Sequence, residues 1–452
     1  MLNMKTDFII LAAGKGKRMS GHVPKVLKIL GGKPMVQHVV DTAKNFLNSK
    51  SFVVVGDRQK EVMSSLETYK DITWVKQRDQ LGTGHAVKQT LKKLRNNSIA
   101  IVLYGDVPLV EPASLKKLIK SAQSNDLALL TMELDKPKGY GRIVRDKKGT
   151  IKSIVEEKDA TKEQKKIAEV NTGIMAMKSN LLIDLIPKIK KKNKAGEYYL
   201  TDLVEITKSE QRKIKAITLS SPEEALGANS AEELHNLERV YQKRQALSLI
   251  KSGVRFGDIN RFDVRGHLEA EKGCFVDVNC VFEGQVILEK NTNIGPNCFI
   301  KDSIIGEGSR LYANSVIEDS KLGKDCKLGP FARVRGGSAL NESVEVGNFV
   351  EVNRSKIDNN VKTKHLTYLG DARIEKGANI GAGTITCNYD GKKKSITEIK
   401  EGAFIGSNSS LVAPVKVGKN AYTGAGSVIT KNVPEESLAI ARGKQVNIKK
   451  KK

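Results

Sequence analysis

Four apolar runs mark the first half of the chain: Phe8–Ala13, Phe52–Val55, Ile99–Tyr104 and Leu127–Met132. Each reads as a short buried strand, and helical stretches separate the first three. That alternation is the βαβ rhythm of a sheet covered by helices. Residues 1–230 are therefore expected to form an α/β domain around a parallel sheet. The first run superficially resembles the apolar stretch of a signal peptide. It is short, and Gly14-Lys15-Gly16-Lys17-Arg18 follows it directly, so it reads as a strand and not as a leader. Ligands of such sheets sit beyond the carboxyl ends of the strands, so the residues just after each run matter most.

From Ala231 the pattern turns helical. Leu234, Leu237, Tyr241 and Leu247 are expected on one face of an amphipathic helix whose other positions carry charges such as Glu232, Glu238, Lys243 and Arg244. Ser230, with Glu233 three residues on, starts it as a capping box. A helical linker over 231–252 would join the first domain to a second, 253–452.

A period of six organises that second domain. Val276, Phe282, Leu288, Ile294 and Ile300 open a series of 22 positions ending at Ile429, in which 17 steps are of six residues and only Thr423 is not apolar. Glycine often follows, as at Gly295, Gly347 and Gly406. A six-residue step fits neither a 3.6-residue helix nor a hairpin meander. It predicts a parallel β-helix with an internal aliphatic ladder. The ladder is expected to break between Val352 and Ile374, and again between Ile380 and Ile399. Cys274, Cys280, Cys298 and Cys326 lie two before or four after a rung, where they should pack in the core.

Composition narrows the function. The 452 residues are 39% hydrophobic and 28% charged, enough apolar content for sizeable cores and too much for wholesale disorder. No run approaches the roughly 18–20 apolar residues of a membrane span. Five cysteines without a CxxC pattern point to a reducing compartment, the cytoplasm, and six histidines without HxxxH or Cys/His pairing give no zinc signature. The net charge of +26 is spread along the chain, with 42 basic and 25 acidic residues before position 231 and 35 and 26 after it. Without a recognition helix, aromatic RNA-binding motif or zinc-finger spacing, nucleic acid is not the expected partner. A basic surface that draws in phosphorylated metabolites is. The tail Lys449–Lys452 reads as frayed, and a membrane surface is only weakly signalled as a partner.

Leu11-Ala12-Ala13-Gly14-Lys15-Gly16-Lys17-Arg18-Met19, with Pro24-Lys25, follows the first strand. Glycines let backbone N–H groups approach phosphate oxygens, while Arg18 and Lys25 can neutralise a triphosphate and leaving pyrophosphate. The loop is neither a Rossmann fingerprint nor a Walker loop. Tyr104-Gly105-Asp106 places a carboxylate at the end of a buried strand, a hard ligand suited to Mg²⁺ on a nucleotide. Leu81-Gly82-Thr83-Gly84-His85 and Gly139-Tyr140-Gly141-Arg142 are further turns that admit a base or sugar.

Together these motifs resemble the sugar-1-phosphate nucleotidyltransferases. Over nearly the whole chain, domain order included, the sequence is similar to the bacterial bifunctional N-acetylglucosamine-1-phosphate uridylyltransferase/glucosamine-1-phosphate N-acetyltransferase family. That resemblance implies a nucleotidyltransferase domain with a Rossmann-like mixed sheet, a left-handed β-helix of hexapeptide repeats, assembly as a homotrimer, and synthesis of UDP-N-acetylglucosamine for peptidoglycan and lipopolysaccharide precursors. It implies that Leu11, Ala12, Ala13, Gly14, Gln77, Gly82 and Thr83, beside Tyr104 and Gly105, hold the uridine nucleotide, with Lys25 on its phosphates. Gly141, Glu156, Asn171 and Asn229 would hold N-acetylglucosamine, and Asp106 and Asn229 would coordinate Mg²⁺. Asn229, in Gly227-Ala228-Asn229-Ser230, is the loosest match.

In the second half, Lys364-His365-Leu366-Thr367-Tyr368 and Gly381-Ala382-Gly383-Thr384-Ile385-Thr386-Cys387-Asn388-Tyr389 resemble the acetyltransferase domain of the same family. A histidine titrates in the range needed to take a proton from an amino sugar. The resemblance makes His365 the general base and acetyl-CoA the donor. Arg335, Glu351, Asn353, Tyr368 and Asn379 would bind the amino-sugar phosphate, and Ala382, Asn388, Tyr389, Ser407, Ala425 and Arg442 the coenzyme. Three positions depart from the family. Asn353 stands where a lysine is usual, Gly336-Gly337 replaces Pro-Gly after Arg335, and Lys444 replaces a proline after Arg442. These bear on binding strength in the second site more than on reaction type. Two other readings are a nucleotidyltransferase whose β-helix only regulates or assembles, and a non-catalytic relative of translation-factor exchange subunits. The His365 segment argues against the first, and the glycine loop with Lys25 and Asp106 against the second.

Overall fold

The computed structural model describes residues 4–14, 23–56, 58–191 and 193–450. Its contacts divide the chain into two units, Met1–Tyr241 and Gln242–Lys452.

In the first unit, parallel strands Thr6–Leu11, Ser49–Val55, Ile72–Lys76 and Ile99–Tyr104 lie side by side. Leu127–Glu133 and Ile214–Thr218 extend the sheet across the antiparallel strand Glu169–Lys178. The sheet is mixed, as the family resemblance implies, because Glu169–Lys178 interrupts the parallel order that the βαβ rhythm alone predicts. Its strands are apolar at consecutive positions because both faces are covered. Phe8, Ile10, Val53, Ile101 and Leu103 pack into one core, and Ile9, Leu11, Phe52, Val54 and Val102 into the other.

The helix Ala231–Lys251 forms where expected, and Ser230 Oγ accepts from Glu233 N at 3.1 Å. Its apolar face is shifted. Leu237 is buried, but Leu247 is exposed, because ten residues at 100° each carry it off the Leu237 stripe. Among the residues of the second unit, Gln242 and Ala246 are the buried helix positions, and the Gln242 amide satisfies both Val264 N and Val264 O at 2.7 and 2.8 Å.

The second unit is a parallel β-helix. All 22 rung positions are buried. They stack in columns such as Val276–Ile294–Leu311–Leu328–Val346 and Leu288–Ile305–Leu322–Leu340–Ile357. Cys274, Cys280, Cys298 and Cys326 are buried free thiols, and burial pushes that of Cys298 up to about 11. At Gly347 a side chain would collide with the backbone of the next coil, its Cβ falling 1.8 Å from Lys364 O. The first expected break does not exist. Ile357, Thr363 and Leu369 continue the ladder between Val352 and Ile374. A five-residue step and a threonine rung conceal the period, so His365 lies on an uninterrupted strand, Lys362–His365. The second interruption is real: Tyr389–Lys394 forms an exposed loop.

Candidate active sites

At the carboxyl ends of the first unit's parallel strands, Gly105 N donates to Leu11 O at 3.0 Å, Ala12 N to Val54 O at 2.9 Å and Gln77 N to Val55 O at 2.9 Å. The segments that follow these strands are thereby fixed side by side. They open a cleft of about 590 Å³ lined by Leu11, Ala13, Gly14, Lys25, Gln77, Gly82, Thr83, Tyr104 and Asp106. Gln80, Lys158 and Glu197 also line it and were not anticipated. Ala12 is buried behind the cleft. Arg18 lies outside the described residues. Gly82 has φ +110°, and a Cβ there would meet Tyr198 O at 2.6 Å, so the turn requires glycine.

Lys25 Nζ donates to Asp106 Oδ2 and, at 2.6 Å, to Asn229 Oδ1. Two side-chain oxygens from distant parts of the chain thus converge on one cation. Asn229 is placed by the helix start, its N–H donating to Glu233 Oε2 at 2.5 Å. An oxygen pair already arranged about a positive charge fits Mg²⁺, which takes few protein oxygens and shares the rest with phosphate and water.

Gly141, Glu156 and Asn171 form a group beside Tyr104. Asn171 N donates to Gly141 O at 2.8 Å, and Thr201 Oγ1 to Glu156 Oε1 at 3.1 Å. Burial, then Asp159, raises the Glu156 carboxyl against the opposing Thr201 hydrogen bond. Burial, followed by Glu156 and Asp106, likewise pushes the Tyr104 phenol up. Asn171 Oδ1 is buried without a partner among the described residues. No sequence signal pointed to Thr201.

In the second unit, His365 is exposed and its Nδ1 lies 2.8 Å from Asn348 Oδ1. With the amide oxygen accepting, Nδ1 carries the proton and Nε2 is left basic. Asn348 precedes His365 by 17 residues, one coil, so the repeat length could have found it. Arg335 Nε donates to Glu351 Oε1 at 2.7 Å, Tyr368 stacks in register beside Glu351, and Asn353 pairs between Arg335 and Gly370. Asn379 lies one coil beyond Lys362. Arg354, at a corner with φ +50°, is committed to both oxygens of Asp371 at 2.8 and 2.9 Å. Asn388 donates to the same carboxylate. A second corner runs down from His365: Gly383 N meets His365 O, Asn408 N meets Ala382 O, Gly426 N meets Ser407 O, and Arg442 Nη1 meets Ala425 O. The coil-by-coil stacking therefore aligns Ala382, Ser407, Ala425 and Arg442. Tyr389 stands apart on the exposed loop, its hydroxyl donating to Gly391 O at 2.6 Å.

The family profiles agree with this division. MobA-like NTP transferase domain matches residues 8–161, GMPPB C-terminal domain matches 264–368, and Bacterial transferase hexapeptide (six repeats) matches 396–431. Bifunctional protein GlmU of Idiomarina loihiensis is 49% identical over 448 residues, covering 98% of this chain and 97% of that protein. The chain belongs to the GlmU family. The GlmU proteins of Cellvibrio japonicus and Marinobacter nauticus are 48% and 46% identical over 442 and 440 residues, each with 97% of its length covered. GlmU membership makes the chain a nucleotidyltransferase and an acyltransferase, and the β-helix a left-handed one.

Proposed function

We propose that the chain makes UDP-N-acetylglucosamine with the two sites described above. In the β-helix, the acetyl group of acetyl-CoA passes to the amine of glucosamine-1-phosphate. His365 Nε2 takes the amine proton, oriented by Asn348, while Arg335 and Tyr368 hold the phosphate side. Coenzyme A would lie along the corner of Ala382, Ser407, Ala425 and Arg442. In the α/β unit, the sugar phosphate oxygen attacks the α-phosphorus of UTP in line and pyrophosphate leaves, with no covalent enzyme group. Lys25 neutralises phosphate charge, Gly82 and Gln77 admit the base, and the free Asn171 Oδ1 can accept from the sugar. A Mg²⁺ ion held by Asp106 and Asn229 would add charge neutralisation at the phosphates. The convergence of Lys25, Asp106 and Asn229 in a cleft at the strand ends carries this reading. Incubating the protein with glucosamine-1-phosphate, acetyl-CoA, UTP and Mg²⁺ should yield UDP-N-acetylglucosamine. Release of free coenzyme A without a nucleotide sugar would refute the first-site assignment.

A homotrimer is part of the proposal. The corner that opens with Asn279, Asn297 and Asn314, all at left-handed φ, continues with Phe331, Phe349 and Leu366 at φ +56°, +55° and +49°. Large apolar side chains are disfavoured there by about 1–3 kcal/mol. Yet they are 49%, 56% and 64% exposed, and the two rings stack at 5.3 Å. A second copy seated on this ladder, beside His365, accounts for both features, and three copies is the number that the family resemblance implies. The unpaired thiols support a cytoplasmic setting. Among the described residues no helix is long and apolar enough to cross a membrane.

A further inference from the structure

Arg142 is the largest of the fully buried side chains, 2% exposed at the start of the strand Arg142–Arg145. A buried guanidinium stabilises a fold poorly, because desolvation offsets its ion pair. Its contacts instead converge on one loop. One terminal nitrogen donates to Tyr140 O, inside Gly139-Tyr140-Gly141. The other donates to Glu157 Oε2 at 2.8 Å and to Lys165 O at 3.4 Å. Glu157 Oε2 also accepts from Gly139 N at 3.3 Å. The pair therefore ties both ends of the glycine loop to the turn that carries Glu156.

On the far side, a Cβ on Gly141 would sit 3.4 Å from both Glu156 carboxylate oxygens. Gly141 O in turn fixes Asn171 through its N–H at 2.8 Å. Gly141, Glu156 and Asn171 thus depend on one rigid planar fork, which a lysine cannot reproduce.

We propose that Arg142, paired with Glu157, is a positioning residue for the sugar half of the uridylyltransferase site. The inference rests on the reading that Gly141, Glu156 and Asn171 hold N-acetylglucosamine. Because that half would hold the sugar ring and not the reacting phosphate oxygen, the clamp acts on sugar affinity more than on the chemical step.

The test uses the full chain, with initial rates measured while UTP and N-acetylglucosamine-1-phosphate are varied separately. Arg142→Gln should raise the KM for the sugar phosphate about tenfold, the effect of one lost charge-assisted hydrogen bond, with kcat and the KM for UTP within about twofold. Arg142→Lys should recover part of the loss. Glu157→Gln, a milder change that keeps the side chain's size, should shift the same constant, and the double variant should be no worse than Arg142→Gln. An unchanged kcat and KM for UTP report that the α/β unit is folded, and acetyl transfer, in the other unit, normalises the amount of protein. Parallel rises in both KM values, or a silent Glu157→Gln, would overturn the proposal. A wild-type protein unable to use the sugar phosphate would refute the underlying site reading instead.

Discussion

Replacing Asn353 with lysine should tighten the acetyltransferase site for its amino-sugar phosphate. Asn353 lies between Arg335 and Gly370 in the ladder and is 3% exposed. Its Oδ1 has no hydrogen-bond partner among the described residues and sits 2.6 Å from where a Cβ on Gly336 would be. Two departures from the family thus occupy one place: Asn353 leans over Gly336, whose φ of +69° a proline could not adopt. The neighbouring cations are already neutralised, Arg335 by Glu351 and Arg354 by both oxygens of Asp371. Arg354 therefore does not replace the missing lysine without breaking a bidentate pair. An ammonium that extends along its own stem to solvent adds one charge-assisted contact, worth about 1.5–3 kcal/mol before partial desolvation. The KM for glucosamine-1-phosphate should fall about tenfold or more, with kcat little changed because the phosphate takes no part in bond making or breaking during acyl transfer. Coenzyme A release at varied sugar phosphate reads this directly. An unchanged or higher KM in a folded Asn353→Lys protein would show that another cation already serves the phosphate.

Phe349→Asp should dissociate the assembly, since each ring buried at an interface contributes about 2 kcal/mol and a carboxylate there is repelled by its copies. Sedimentation at micromolar concentration should then show a 49.5 kDa species, where the parent is expected to sediment as a trimer. Burial, then Glu205, Glu156 and Asp159, raises the Asp202 carboxyl to about 6. The folded state then binds the proton more tightly than the unfolded one, so this group costs stability as pH rises from about 4 to 6. Asp202→Asn should raise the Tm at pH 8 and leave it nearly unchanged at pH 4; an equal gain at both would contradict the assignment.

The sequence was informative where one periodicity served one environment. Strands such as Ile99–Tyr104 are read correctly because both faces are buried, and the rungs because every coil repeats the same requirement. It misled where a polar residue took an apolar post. Thr363 as a rung and the five-residue step at Ile357 make a continuous ladder look broken around His365. Gln242 is buried because two backbone groups of Val264 need it, a demand no helical wheel reveals. Pairs such as Asn348 with His365 and Arg354 with Asp371 are one coil apart, legible only once the coil length is known. The Arg142–Glu157 clamp joins segments whose proximity comes from the sheet.

If two independent chemistries reside in separate units of one chain, two substitutions tell them apart. Asp106→Asn and His365→Ala are each assayed for uridylyl transfer, by pyrophosphate release, and for acetyl transfer, by coenzyme A release. Asp106→Asn removes the carboxylate that, together with Asn229, meets Lys25, and should cripple uridylyl transfer while sparing acetylation. His365→Ala removes the base and should lower acetyl transfer by about 10²–10⁴-fold with uridylyl transfer intact. Loss of both activities in either variant, in protein that remains folded, would contradict the two-site account.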